Sequence, residues 1–161
     1  MPHRFYLERQ LTDRTNPGPM RACCFIMLNP STADADHNDP TIRRCIGFAE
    51  REKCDVLRVV NLYSLRAVKP VDLLRAPTRA RYRKKNLEQC ASAMRDSDLA
   101  ICAWGVHAEA ERVAEFMAMA RELPAKLECL GITKHGAPRH PLYLRCDAPL
   151  LPYADHGGDG G

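Results

Sequence analysis

The sequence predicts an α/β fold in which a mostly parallel, four-stranded central sheet lies between helices on both faces, a three-layer α/β/α arrangement. Two observations support this prediction. Short apolar runs of strand length alternate with segments that have the apolar spacing of helices, and turn-forming residues follow the apolar runs. The 161 residues fit one domain of ordinary size. We therefore expect a single α/β domain over residues 1–153 and a disordered tail over residues 154–161.

The first predicted strand covers residues 22–28 (ACCFIML), whose uninterrupted apolar character suits a strand buried on both faces. Asn29-Pro30 ends this strand, because proline cannot continue the hydrogen-bond ladder of a central strand. Asp39-Pro40 predicts a helix start, with the aspartate as N-cap and the proline in the first turn. The apolar face of this helix is formed by Ile42, Cys45, Ile46 and Ala49.

The rest of the chain repeats this alternation of strands and helices. Residues 56–62 (VLRVVNL) predict a second strand, and residues 80–95 predict a basic helix. A third strand over residues 99–104 (LAICAW) ends before a glycine, and another helix follows it. Residues 127–130 predict a short fourth strand, which opens into a loop rich in glycine and proline over residues 131–141.

The composition narrows the class of protein. No apolar run approaches the roughly 20 residues that span a bilayer, and the first residues lack the apolar core of a signal peptide. We therefore expect a cytoplasmic protein. The eight cysteines include no CxxC pair and mostly lie in apolar segments, which indicates buried side chains instead of disulfides or zinc ligands. The net charge of +4 is compatible with a polyanionic partner.

Polar or aromatic residues lie at or just after the end of each predicted strand, and the parallel arrangement brings these positions to one edge of the sheet. They are Asn29, Asn61, Trp104-Gly105 and His140. Ligands of open α/β sheets bind beyond the carboxyl ends of the strands. A carboxamide can orient a water molecule or read a base edge, and a histidine can donate a hydrogen bond to a leaving group. Each also has an ordinary alternative: the asparagines cap turns, and His140 packs against Tyr143.

Two further clusters leave alternatives open. Basic residues at positions 79–85, among them Arg81, Arg83 and Lys84, form either a solvated helix face or a phosphate-binding surface, to which Arg139 also belongs. Asp34, Asp36 and Asp39 form either a solvated loop or a magnesium site. A calcium loop is excluded, because positions six and twelve carry Asp39 and Cys45 instead of glycine and glutamate.

Five motifs are spread along residues 27–144: MLNPSTAD (27–34), DPTIRRC (39–45), VVNLYSLRA (59–67), CAWG (102–105) and GAPRHPLYL (136–144). Together they resemble a family of bacterial and phage domains of unknown function. The same series resembles, more distantly, the uracil-DNA glycosylases, which carry in this order an Asp- or Asn-containing Pro motif, a base-reading asparagine, a Leu-Trp-Gly turn and a His-Pro motif. The motif after His140 continues with Leu142-Tyr143-Leu144, where the glycosylases carry serines.

The glycosylase resemblance implies a uracil-DNA-glycosylase-like fold and a hydrolase that cleaves the N-glycosidic bond of a modified or deaminated base, in nucleic acid or in a nucleotide. It implies that Asn29 positions the hydrolytic water, that Asn61 reads the base and that His140 stabilises the departing base. The predicted site is completed by further residues that contact the base or ligand: Pro30, Ser31, Tyr63, Trp104, Gly105 and Tyr143.

Two other hypotheses remain open on the sequence: a nucleotide- or nucleic-acid-binding module of the same fold without catalysis, and a metal-dependent phosphoester hydrolase. For the glycosylase-like hydrolase and for the binding module, we expect nucleic acid or a nucleotide as the partner, with no cofactor, no metal and no membrane association. The sequence leaves the oligomeric state open.

Overall fold

A computed structural model describes residues 3–12, 18–30, 33–34, 36–66 and 80–154, with the side chains of residues 80 and 81 left undescribed. The predicted Ser31 and the tail after residue 154 lie outside these ranges. The strands are β1 Leu7–Gln10, β2 Ala22–Met27, β3 Val56–Asn61, β4 Leu99–Cys102, β5 Leu127–Cys129 and β6 Leu151–Pro152. The helices are α1 Pro40–Arg51, α2 Ala80–Arg95 and α3 Ala110–Arg121, with a 3₁₀ turn at Pro141–Tyr143.

The described strands form one mixed sheet in the order β1-β3-β2-β4-β5-β6. The four central strands run parallel to one another, whereas β1 and β6 pair antiparallel at the two edges. The predicted α/β class is therefore confirmed, and the predicted strand number of four is wrong. The edge strands escape sequence detection because β1 (LERQ) buries only Leu7 and β6 is two exposed residues long, so neither has an apolar pattern.

The order in which successive strands join the sheet reverses at β2. From β2 the chain passes through α1 to β3 on one side, and from β3 it passes through α2 to β4 on the other side of β2. The apolar face of α1 packs on one face of the sheet, against Phe25, Leu57 and Ile101. Helices α2 and α3 pack on the opposite face, against Ile26 and Val60.

Strand β2 has no exposed residue, in agreement with its apolar sequence. Asp39 caps α1 as predicted, since its Oδ1 atom accepts a hydrogen bond of 2.8 Å from the Ile42 amide. Seven of the eight cysteines are buried and only Cys146 is exposed. Burial raises the pKa of Cys90 to about 12, so this thiol stays protonated at neutral pH. Among the described residues, no helix is long and apolar enough to cross a bilayer.

Ile101 provides a test of the core, because it is fully buried in the central strand β4 and packs on the α1 side of the sheet. We expect Ile101→Ala to lower the free energy of unfolding by about 2–5 kcal/mol, through lost burial and a residual cavity. Val106→Ala is the control, since Val106 is 61% exposed, and should change stability by less than about 0.5 kcal/mol. Urea denaturation measures both. Equal effects of the two substitutions would contradict this packing.

Candidate functional site

A cavity of about 960 Å³ lies at the carboxyl ends of β2, β3 and β4, beside the N-terminus of α1. Its described lining includes residues from α1 and none from α2 or α3. The residues that matter for its chemistry are Arg4, Asn29, Asn61, Arg66, Arg139 and His140. This volume is at the upper end of the roughly 300–1,000 Å³ found for small-molecule sites.

The chain topology explains why the cavity is here. The connection after β2 leads toward β3, whereas the strand on the other side of β2 is reached only later in the chain. The loops that leave the carboxyl ends of β2 and β4 therefore diverge, and a crevice opens between them. Asn29-Pro30 follows β2 and Trp104-Gly105 follows β4, so both motifs lie at this crevice.

Asn29 is half-buried and lines the cavity together with the buried Pro30. Its Nδ2 atom donates a hydrogen bond of 3.1 Å to the Pro30 carbonyl oxygen, which fixes the rotation of the carboxamide. The end of the buried strand β2 thus places the oriented carboxamide of Asn29 at the wall of the cavity.

Asn61 is the last residue of β3 and is only 2% exposed. Its carbonyl oxygen accepts hydrogen bonds from Asn86 Nδ2, at 2.7 Å, and from Cys90 Sγ, at 3.4 Å, so α2 holds the backbone of this strand end. Its side chain lines the cavity, and within the described part of the chain the carboxamide makes no hydrogen bond. Both its donor and its acceptor are therefore available to a ligand.

His140 precedes the 3₁₀ turn, and its Nδ1 atom accepts a hydrogen bond of 3.2 Å from the Leu142 amide. This bond assigns the ring proton to Nε2 in the neutral side chain. Burial lowers the pKa of His140, although the Asp39 carboxylate acts in the opposite direction. At neutral pH the ring is therefore uncharged, with Nε2 as its hydrogen-bond donor.

Two arginines of α1 hold the segment that follows His140. Arg44 Nε donates to the Pro141 carbonyl oxygen at 3.3 Å, and Arg44 Nη2 donates to the Leu144 carbonyl oxygen. Arg51 Nη1 donates to the carbonyl oxygens of residues 146 and 148, at 3.0 and 2.5 Å. Residues 141–148 are not paired with a strand, and these bonds attach them to α1, which packs on the sheet. The bonds therefore help to position His140.

The aromatic residues of the predicted site occupy three different environments. Trp104 lines the cavity but is 2% exposed, and its ring packs edge-on against Phe116 and Tyr153, with centroids 5.6 and 5.5 Å away. Tyr63 is outside the cavity lining; its hydroxyl accepts a hydrogen bond from the Glu109 amide and its ring lies under Arg112. Tyr143 is 84% exposed at the rim, with its ring centroid 6.1 Å from that of His140.

The predicted phosphate-binding residues whose side chains are described, Arg83, Lys84 and Arg139, are not brought together. Arg139 is exposed and lines the cavity, whereas Arg83 pairs with two carboxylates of α3, Glu115 and Glu111. Lys84 is exposed on α2, which contributes nothing to the described cavity wall, and the Arg81 side chain lies outside the described residues. The ion pairs of Arg83 arise from helix packing, which the spacing of basic residues cannot indicate.

Two cavity arginines, Arg4 and Arg66, are absent from the sequence prediction. The Arg4 amide donates to the Ser64 carbonyl oxygen at 2.8 Å, and His3 forms an antiparallel bridge with Leu65. The first described residues therefore lie beside the segment that follows β3. No motif in the sequence signals this pairing, because it joins residues about 60 positions apart.

The three aspartates considered as magnesium ligands have structural roles or exposed positions. Asp34 Oδ1 accepts from the amides of Asp36 and His37 at 2.9 and 2.8 Å, and these bonds lower the pKa of Asp34 to about 2. Asp36 is exposed, and Asp39 caps α1. In the described ranges, no three His, Cys, Asp or Glu side chains are grouped to hold a metal ion.

The fold and the cavity define an α/β domain with a crevice at the point where the strand order reverses, the place where open α/β sheets bind their ligands. Residues 4–142 match the family described as "Protein of unknown function (DUF1643)", and the chain belongs to this family. This confirms the first of the two resemblances, and the resemblance to glycosylases stays a prediction. Neither a curated protein nor a solved structure matches the chain.

Gly105 tests the contact between the β4 loop and His140. It has a φ of +77°, its amide donates to the Pro138 carbonyl oxygen at 2.9 Å, and an added Cβ would lie 3.6 Å from His140 Cβ. We expect Gly105→Ala to cost about 1–2 kcal/mol of unfolding free energy, because an L side chain disfavours this backbone conformation. Urea denaturation measures it.

Gly47→Ala is the matched control, since Gly47 is within α1 and an added Cβ meets nothing within 4 Å. This substitution should stabilise the protein by up to about 1 kcal/mol, because alanine is the better helix former. Destabilisation of similar size at both glycines would contradict the special conformation of Gly105.

The lowered pKa of His140 predicts a pH effect on stability. As pH falls through about 6.5, the unfolded chain takes up a proton at this histidine before the folded protein does, which favours unfolding. The unfolding free energy of the wild type should therefore fall more steeply below about pH 6.5 than that of His140→Gln, and above about pH 7 the two profiles should be parallel. Chemical denaturation between about pH 5 and 8 measures this, and parallel profiles over the whole interval would refute it.

Proposed function

We propose that this protein is a glycosylase-like hydrolase that cleaves the N-glycosidic bond of a modified or deaminated base, with a sheet arrangement like that of uracil-DNA glycosylases. One observation carries the proposal: Asn29, Asn61 and His140, which lie far apart in the sequence, line the same cavity. These are the side chains that the glycosylase resemblance assigns to water positioning, base reading and leaving-group stabilisation.

The reaction needs two groups acting on opposite sides of the sugar. Water adds its oxygen to C1′, the bond between C1′ and the base nitrogen breaks, and the base leaves with the electron pair. The proton lost by the water finally neutralises the base. His140 Nε2 donates a hydrogen bond to the base as negative charge develops, and its neutral state suits this role, since it keeps its proton.

The other two groups orient the reactants. Asn61 offers a donor and an acceptor to the edge of a base, from a strand end that α2 holds in place. Asn29 orients the water without removing its proton, because a carboxamide is not a strong base. The rate therefore depends mainly on stabilisation of the leaving group and on the positions of the reactants.

A second candidate is a binding module of the same fold, which recognises a base or a nucleotide without cleaving it. The carboxamide at position 29 favours this alternative, since it supplies recognition chemistry without a general base. The third hypothesis, metal-dependent phosphoester hydrolysis, has less support, because Asp34 and Asp39 already accept hydrogen bonds from the main chain of their own loop and helix.

An assay of base release tests the proposal. Purified protein is incubated with uracil- and hypoxanthine-containing oligonucleotides, single- and double-stranded, and with the matching free nucleotides. We expect release of the free base, loss of release but not of binding in Asn29→Ala, and a rate reduced by about 10²–10³-fold in His140→Ala. Asn61→Ala should weaken binding. Chromatography measures the base, and fluorescence anisotropy or calorimetry measures binding.

Lys84→Ala is the control, because Lys84 is exposed on α2, outside the described cavity wall. It should release base at the wild-type rate. Binding without release from any substrate of the panel would reject the hydrolase and support the binding module. Absence of both binding and release would reject both functions. Cleavage of a phosphoester bond in these substrates, abolished by a chelator, would favour the metal-dependent alternative.

A further inference from the structure

Two guanidinium groups lie together at the wall of the cavity. Arg4 and Arg66 both line it, and both donate to the Ala33 carbonyl oxygen, through Arg4 Nη1 and through Arg66 Nη2 at 3.3 Å. Two donors that share one acceptor lie within roughly 6 Å of each other. The pairing of the first described residues with the segment after β3 is what holds these cations side by side.

The surroundings of Arg4 do not fully satisfy its charge. Its Nε atom is buried and has no hydrogen-bond partner among the described residues. Burial, followed by repulsion from Arg66, lowers the pKa of Arg4. Both effects indicate that the guanidinium is held where an additional anion would stabilise it.

The charges that line the cavity favour an anionic ligand. Three arginines, Arg4, Arg66 and Arg139, face one carboxylate, Asp39, in the described lining. Asp39 already accepts from the amides of Ile42, at 2.8 Å, and Ala33, at 3.2 Å. The first residues of α1, Pro40 and Thr41, line the same cavity, so the positive end of the helix dipole adds to this field.

We propose that Arg4 and Arg66 form a phosphate subsite, so that the ligand of the cavity is a free nucleoside monophosphate. This inference rests on the proposed function for the base, which Asn61 and His140 would hold in the remaining volume. Two neighbouring arginines suit a phosphate monoester, which carries a charge of about −1.5 to −2 near neutral pH, better than the single charge of a backbone diester. A cavity of about 960 Å³ has room for a whole nucleotide.

Calorimetry with matched probes tests the subsite in the full-length protein. The probes are 2′-deoxyuridine and its 5′-monophosphate, inosine and its 5′-monophosphate, a uracil-containing single-stranded oligonucleotide without terminal phosphate, and inorganic phosphate. We expect a monophosphate to bind at least tenfold more tightly than its nucleoside and than the oligonucleotide. Arg4→Gln and Arg66→Gln should each remove most of this difference, while nucleoside affinity stays within about twofold.

Two lysine variants allow the subsite to be tested even if the glutamine substitutions disturb folding. Arg4→Lys and Arg66→Lys retain the charge but lose the planar pair of donors, so each should weaken the monophosphate by a smaller factor than glutamine does. Arg145→Gln is the matched control, because Arg145 is exposed, pairs with Asp147 and does not line the cavity. It should leave all affinities unchanged, and thermal unfolding identifies variants that fold.

The outcomes separate this inference from the proposed function. Equal affinity for nucleoside and monophosphate would overturn the phosphate subsite and leave the base pocket standing. Binding of inorganic phosphate that Arg4→Gln abolishes, with no dependence on any base, would support a phosphate subsite but overturn the nucleotide as its ligand, and it would reject the proposed function. Tighter binding of the oligonucleotide than of the monophosphates, or no binding of any probe at millimolar concentration, would overturn the subsite.

Discussion

The parallel pairing of β2 with both β3 and β4 brings Asn29, Asn61 and Trp104 to one edge of the sheet, and the rest of the site is arranged around this edge. In this register Met27 is opposite Asn61, and Ile26 is opposite Cys102. The ladder continues beyond the strands, since the Leu62 and Ala103 amides each donate to β2 carbonyl oxygens at 2.9 Å. The two neighbours of β2 therefore end at the same level as β2 itself. A shift of one residue in either pair would turn the polar side chains away from a common cavity.

His140 and Arg4 do not belong to the strands of the sheet, and individual hydrogen bonds and loop contacts hold them at the cavity. His140 depends on side-chain bonds from Arg44 and Arg51 and on the close approach of Gly105. Arg4 depends on the bridge between His3 and Leu65, on the bond of its own amide to Ser64 and on the bond of its side chain to the Ala33 carbonyl oxygen. The cavity thus has one wall made by strand ends and other walls whose position is set by side-chain hydrogen bonds and loop contacts. Asn29 and Asn61 lie at the wall made by strand ends.

Much of the central fold was predictable from the sequence, because its elements carry strong local patterns. The apolar runs at residues 22–28 and 56–62 became β2 and β3, and Asp39-Pro40 begins α1 as predicted. The convergence of Asn29, Asn61 and His140 followed from the single rule that parallel strands share a carboxyl edge. The edge strands were not predictable, because β1 and β6 owe their conformation to the neighbours they pair with.

The charged part of the site was predicted less well, for a different reason. A run of basic residues in sequence does not indicate which cations face a cavity, and Arg83 faces the carboxylates of α3. Arg4 and Arg66 lie outside this run, 62 positions apart, and meet only through tertiary contacts. The partners of these arginines are set by the whole fold, whereas the positions of the strand-end motifs are set mainly by local sequence.

The distribution of cysteines has a practical consequence for labelling. Seven thiols are buried, and the exposed Cys146 lies in the segment that Arg44 and Arg51 hold, with its Sγ atom 3.3 Å from Arg44 Nη1. Alkylating reagents modify accessible thiolates, so the folded wild-type chain offers one attachment point without any engineered cysteine. A fluorophore attached there sits six residues after His140, close enough to the cavity for its emission to serve as a readout in ligand titrations.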